Sequence, residues 1–157
     1  MNIELIVIGK TNVDFVEIGI AEYKKRLSKY TKFNITTFPD IKGAKSMAVG
    51  EIKQREGEML LSALKDFDEV VLLDERGKEF SSEGFATYIE NLNLRSVRNI
   101  AFVIGGAYGF SEQVYSRCTS KISLSKMTFS HQMIRLIFIE QLYRAHTIIK
   151  GEPYHHK

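Results

Sequence analysis

Three short stretches, residues 3–8, 70–73 and 100–104, are almost wholly apolar and rich in Ile, Val and Leu. Runs this short cannot form core helices, and a strand that is apolar at successive positions must be covered on both faces. They therefore read as buried strands of a parallel sheet. Between them the period changes. Residues 15–30 place Phe15, Ile18, Tyr23, Leu27 and Tyr30 at helical spacing, with Glu22, Lys24, Lys25 and Arg26 interspersed, as in an amphipathic helix. A weaker strand over 33–38 ends at Pro39, and the polar, turn-rich residues 39–47 read as a loop. Ile52, Met59, Leu60, Ala63 and Leu64 mark a second helix, which Gly50 and Gly57 are expected to interrupt. Ser81, Ser82 and Glu83 offer caps for a third helix through Phe85, Ile89 and Leu92. A short helix over 112–118, a strand over 121–124 and a long helix over 131–149 complete about five strands and five helices. Strands alternating with helices predict an α/β fold with a mainly parallel sheet flanked by helices.

A chain of 157 residues, 44% apolar and 26% charged, has the size and composition of a single domain, residues 1–157. Its longest apolar runs fall far short of the ~20 residues of a membrane span, so no membrane is expected as a partner. No signal-peptide pattern opens the chain, which predicts a cytoplasmic protein. A lone Cys118 supports neither a disulfide framework nor a cysteine metal site, and no metal is expected. The last helix carries Met133, Ile134, Leu136, Ile137, Phe138, Ile139, Leu142 and Ile148 on nearly every side. That demands more burial than one sheet face provides, and a homodimer interface is its simplest source.

The net charge of +3 is unevenly placed. Residues 121–157 carry Lys121, Lys126, Arg135, Arg144, Lys150 and Lys157 against Glu140 and Glu152. They also hold all four histidines, His131, His146, His155 and His156. Ligands of such folds lie in loops at the carboxyl ends of strands. Three loops qualify: residues 73–77, the glycine-rich 105–109, and 124–129. Gly105-Gly106-Ala107-Tyr108-Gly109 fits neither the dinucleotide fingerprint nor a P-loop, but glycines let backbone approach a nucleotide closely. Asp74 and Glu75 are sequence neighbours, which does not make a glycosidase pair, and no Gly-x-Ser-x-Gly elbow is present. Arg135 and Arg144 are nine residues apart, about half a turn out of phase on one helix, so one site uses both only with help from a second subunit.

These same residues carry a family resemblance. The opening Ile-Val-Ile-Gly-Lys, Leu73-Asp74 with Gly77, Phe102 to Gly106 with Gly109, the block from Ser123 to Arg135, Glu140 to Arg144, and Pro153-Tyr154-His155 resemble the bacterial large-subunit rRNA pseudouridine N3-methyltransferases (RlmH), small members of the SPOUT class. The similarity spans essentially the whole chain. It implies a C-terminal deep trefoil knot, which periodicity does not reveal because chains are by default unknotted. It also implies S-adenosylmethionine as methyl donor, held by Leu73, Gly105, Leu124, Ser125, Lys126, Met127, Thr128 and Phe129. A homodimer acting on a pseudouridine of 23S-type rRNA in the assembled 70S ribosome is implied as well. Ser130 stands where members of the family often carry proline, and Ala107-Tyr108 where the family varies.

The acceptor nitrogen, an imide, must lose a proton. His155 is the candidate to take it or to orient the base, Tyr154 to position the base, and Arg144 or Arg135 to steady a carbonyl or phosphate oxygen. The alternative from another class is a non-enzymatic ribosome- or RNA-binding module that uses the basic, histidine-rich C-terminal region and keeps the glycine loops only as turns.

Overall fold

The computed structural model describes residues 1–157. The elements run β1 (Asn2–Ile8), α1 (Asp14–Leu27), β2 (Lys32–Phe38), α2 (Val49–Ala63), β3 (Glu69–Glu79), α3 (Ser82–Leu94), β4 (Asn99–Ile104), α4 (Glu112–Arg117), β5 (Ser120–Ser123) and α5 (His131–Ile149). The strands form one all-parallel sheet in the order β2-β1-β4-β3-β5. Strand alternation explains the apolar runs. Ile3, Leu5 and Val7 of β1, Val71 of β3 and Ile100, Phe102 and Ile104 of β4 face a core shared with α1, α3 and α5. Ile6 and Ile8, Val70 and Leu72, and Ala101 and Val103 face the core under α2 and α4.

Four expectations change in the folded chain. In α1 the buried positions are Val16, Ile20 and Leu27, whereas Phe15 and Ile18 are 63% and 71% exposed. The helix carries two overlapping apolar stripes, and packing selects the one with the smaller side chains. Gly57 does not interrupt α2. A Cβ there would lie 2.4 Å from Ser111 Oγ, so glycine lets α2 settle against the residue that caps α4. Residues 74–79 continue β3 rather than forming a free loop, with a shift of register against β5 between Leu73 and Lys78. At Gly77 a Cβ would meet the Lys121 and Ile122 main chain at 2.6 Å, so only glycine fits the crossing. Finally, α5 packs between α1 and α3 on the sheet, and only His131 among its residues is exposed. Two helices as well as the sheet cover it, so Phe138, Ile139 and Leu142 are buried within one chain while Met133, Ile134, Leu136, Ile137 and Ile148 stay half-buried.

After β5, at one edge of the sheet, the chain returns over the carboxyl ends of the strands to α5. The Gln132 amide there accepts the Asn12 N–H at 2.9 Å and donates to the Lys10 carbonyl at 3.1 Å. The Ser130 hydroxyl caps α5 by accepting the Met133 N–H at 3.2 Å. No helix is long and apolar enough to cross a membrane.

Candidate functional site

The first turn of α5 stands over two cavities at the carboxyl edge of the sheet, one on each side of the glycine loop. The first, about 500 Å³, lies beyond β3, β4 and β5. Leu73, Gly105, Leu124, Ser125, Met127, Thr128 and Phe129 all line it, so the three loops singled out from the sequence do converge. Lys126 does not line it. Its side chain is 87% exposed and its ammonium lies 3.8 Å from the Glu79 carboxylate, outside the cavity. The loop over 123–127 braces itself: Ser123 Oγ donates to the Ser125 carbonyl, and Ser125 Oγ accepts the Met127 N–H at 2.9 Å. Asp74 accepts the Arg76 N–H at 2.9 Å and the Tyr115 hydroxyl. Burial, and then that hydrogen bond to Asp74, push the Tyr115 phenol up to about 12. Tyr108 and Met127 at the mouth are 52% and 78% exposed, apolar surface with no cover in a single chain.

The glycines of this loop serve packing as well as access. A Cβ at Gly105 would strike the Phe110 ring at 2.9 Å, and one at Gly106 would lie 2.5 Å from the Glu56 carboxylate beneath. Gly109 takes a left-handed backbone, φ +82°.

The second cavity, about 700 Å³, lies beyond β1 and β2 and shares Gly106, Ala107, Tyr108 and His131 with the first. Arg135 lines it rather than the first cavity. One guanidinium nitrogen donates to the Ile8 carbonyl and another to Thr11 Oγ, both at 2.9 Å, while the buried Nε has no partner. Glu56 is also buried here, and its Oε1 has no partner. Burial raises the pKa of Glu56, with Asp40 adding to the effect. Burial lowers that of Arg135, which Asp40 opposes.

The other three candidates sit together at the far end of α5. Arg144 donates to Glu140 Oε1 at 2.6 Å and to His155 Nδ1 at 3.2 Å. A guanidinium only donates, so Nδ1 is the acceptor and the Nε2–H donates to Glu83 at 2.9 Å. That contact holds the Glu83 carboxyl below its usual range. Tyr154 donates to Glu140 at 2.9 Å, its hydroxyl is 3.2 Å from that of Tyr23, and the Arg144 guanidinium lies 4.7 Å over its ring. The C-terminal residues are thus docked, not frayed. About thirteen residues of helix separate His131 from Arg144, roughly 20 Å of rise, so these groups do not reach the cavities of their own chain. His146 is buried against Tyr30, with rings stacked at 5.7 Å, and burial lowers its pKa to about 4. No three His, Cys, Asp or Glu side chains are grouped to hold a metal ion.

The sequence marked neither Glu56 nor Glu83 nor Tyr23 as a site residue: Glu56 has the spacing of a solvated helix residue, Glu83 that of a helix cap and Tyr23 that of a core position. Glu140 had a signal, its i,i+4 relation to Arg144.

Comparison with known proteins follows the same outline. Residues 1–155 match the family model described as "Predicted SPOUT methyltransferase". Over all 157 residues, and over the full length of each relative, the chain is 55% identical to "Ribosomal RNA large subunit methyltransferase H" of Parabacteroides distasonis and 54% identical to the protein of that name from Christiangramia forsetii. Among solved structures, TrmJ from Z. mobilis superposes with a TM-score of 0.52 at 11% identity, covering 99% of this chain and 72% of that one, a likeness of fold.

Proposed function

The chain belongs to the SPOUT methyltransferase family, and from that premise we propose that it transfers a methyl group from S-adenosylmethionine to N3 of a pseudouridine in 23S-type rRNA, acting in the cytoplasm on the assembled 70S ribosome. The observation that carries the reading is the cavity in which the loops after β3, β4 and β5 meet. Its size and its mixed lining of backbone edges with Leu73, Ile104, Phe110 and Leu124 suit a nucleoside with an aliphatic arm. Leu73, Gly105, Leu124, Ser125, Met127, Thr128 and Phe129 hold the donor, and Lys126 is left out. Bound there, S-adenosylmethionine supplies an electrophilic methyl group on a sulfonium. The same reading takes the return of the chain from β5 to α5 as the crossing of the trefoil knot.

The residues of this chain have two tasks: to fix the acceptor nitrogen in line with the donor, and to deal with its proton. Tyr154 positions the target base. His155 accepts the N3 proton once Arg144 releases Nδ1, and Arg144 then steadies a base carbonyl or phosphate oxygen. Because these groups lie far from the cavities of their own chain, the site is composite: a second copy brings its C-terminal cluster over the first copy's donor cavity. Phe15 and Ile18, exposed on α1, and Tyr108 and Met127 at the cavity mouth provide unpartnered apolar surface for such a homodimer.

The test uses methyl-labelled S-adenosylmethionine with 70S ribosomes, free large subunits and naked rRNA from cells lacking the activity. Label on one large-subunit pseudouridine, strongest with 70S particles, is expected. Binding to ribosomes without donor binding or label would favour the RNA-binding module. Mixing His155→Ala chains with Gly105→Val chains is expected to restore part of the activity that each lacks alone, since one hybrid site is intact. No recovery would place both functions in one chain. If His155→Ala keeps the wild-type rate from about pH 6 to 9, the base role is removed.

A further inference from the structure

The second cavity contains a combination that a structural role does not explain. Glu56 is 8% exposed and Arg135 2% exposed, yet Glu56 Oε1 and Arg135 Nε have no hydrogen-bond partner. Buried polar groups are almost always paired, because an unpaired one forfeits its hydration without return. The fold goes out of its way to seat Glu56. Gly57 lets α2 approach Ser111, and Gly106 leaves room above the carboxylate, where any Cβ would lie 2.5 Å from its oxygen. Two anchors, Ile8 and Thr11, lock the guanidinium, and of its remaining N–H groups the one on Nε is buried and unpaired.

The vacant valences define the ligand. The cavity needs a molecule that offers an N–H to a carboxylate and a carbonyl oxygen to a guanidinium. Glu56 and Asp40 stand among Lys10, Lys45 and Arg135, a lining of mixed sign that selects no simple ion, and no third carboxylate or histidine is grouped with the two acids for a metal cation. A neutral pyrimidine with imide character meets both needs, and Lys10 and Lys45 also line this cavity, placed for the flanking phosphates. Resting on the methyltransferase reading above, we propose that this cavity is the nucleobase pocket and that Glu56 accepts the N1–H of pseudouridine while Arg135 Nε donates to a ring carbonyl. The glycosidic bond of pseudouridine is to carbon, which leaves N1–H free. In uridine that nitrogen carries the sugar and has no proton to give. Glu56 would therefore distinguish the two isomers without touching N3, the reacting nitrogen. The shared wall of Gly106, Ala107 and Tyr108 is a single pass of backbone, which puts the ring next to the donor cavity.

The experiment compares wild type, Glu56→Gln and Glu56→Leu on 70S ribosomes carrying pseudouridine or uridine at the target position. With pseudouridine, kcat/KM is expected to fall roughly tenfold for Glu56→Gln, which keeps a neutral acceptor, and roughly a hundredfold or more for Glu56→Leu. With uridine, wild type is expected to be as poor as Glu56→Leu, and the substitutions to cost nothing further. S-adenosylmethionine affinity should stay within about twofold, and the Tm of Glu56→Leu should rise by about 2–4 °C, since that variant removes a buried polar group with no partner. Wild-type rates in Glu56→Leu, an equal loss on both substrates, a fall in Tm, or loss of donor affinity would each overturn the assignment. A wild type that binds no donor and labels neither ribosome would overturn the methyltransferase reading and this inference together. An active wild type beside an unimpaired Glu56→Leu sinks the inference alone.

Discussion

The two ends of α5 differ in how their polar groups are satisfied. At its C-terminal end Arg144, Glu140, Tyr154, His155 and Glu83 form a chain of hydrogen bonds in which each charged group has an opposite or polar partner. At its N-terminal end the helix meets two cavities, exposed Tyr108 and Met127, and the unpartnered Glu56 and Arg135. Both ends belong to one continuous, capped helix, so the difference is not one of secondary structure. The hydrogen-bonded cluster at the C-terminal end is complete within the chain, with the buried Nε2 of neighbouring His146 as its unpaired exception, whereas the polar groups left unpaired at the N-terminal end line a cavity. A residue of the first kind acts on a ligand only by leaving its present partners. One of the second kind has no partner to leave, and the rest of the fold supports its cost.

The largest effect expected from this contrast is at Gly106. A valine there drives branched carbons into the Glu56 carboxylate and shifts the glycine loop that forms a wall of both cavities. Donor affinity measured by calorimetry should fall about a thousandfold, some 4 kcal/mol. Retained affinity would mean that the glycine loop adjusts freely and that the cavities are independent.

Next is a pH effect at the C-terminal half of the helix. The His146 pKa is lowered from 6.5 to about 4 in the folded chain, so below about pH 6.5 the unfolded chain binds the proton and the folded one does not. Stability from this residue is thus full above pH 6.5 and lost as pH falls towards 4, up to about 3 kcal/mol. Denaturant midpoints taken across that range should decline in wild type and flatten in His146→Leu. An identical slope in both would show that another group governs the acid limb.

The smallest effect is predicted at Lys126. Its contact with Glu79 is exposed and long, so Lys126→Ala should change stability by less than about 0.5 kcal/mol and leave donor affinity within twofold. A large loss of affinity would return Lys126 to the donor site and blur the boundary of the cavity.

Much of the fold was legible because burial on both faces leaves a mark in composition. β1 and β4 must be apolar at every second residue on each side, and their runs have no other physical explanation. Capping was readable in part: Ser81, offered as a cap for α3, accepts the Gly84 N–H, whereas the Ser111 cap of α4 was not marked by the sequence reading. The second half of β3 was not legible. Strand pairing is made by main chain, and Asp74-Glu75-Arg76-Gly77 can pair without looking like a strand. Nor was the buried face of α1, where Phe15 and Ile18 outweigh Val16 and Ile20 in size but not in contact with the core.

For the site, local spacing decided what chemistry each segment carries: glycines where backbone must pass closely, loops at strand ends where ligands sit, a basic and aromatic C-terminus. Tertiary structure decided which of these meet. It brought seven of the eight donor-site candidates to one cavity and turned Lys126 outward. It placed Arg135 on the opposite side of the glycine loop from that cavity, and held Arg144, Tyr154 and His155 far along the helix. It also made Glu56 exceptional. A glutamate on a helix is an ordinary solvated charge until packing removes its water. Desolvation depends on neighbours distant in sequence, here Gly106 and the residues around it, which the identity of a residue and its local spacing do not specify.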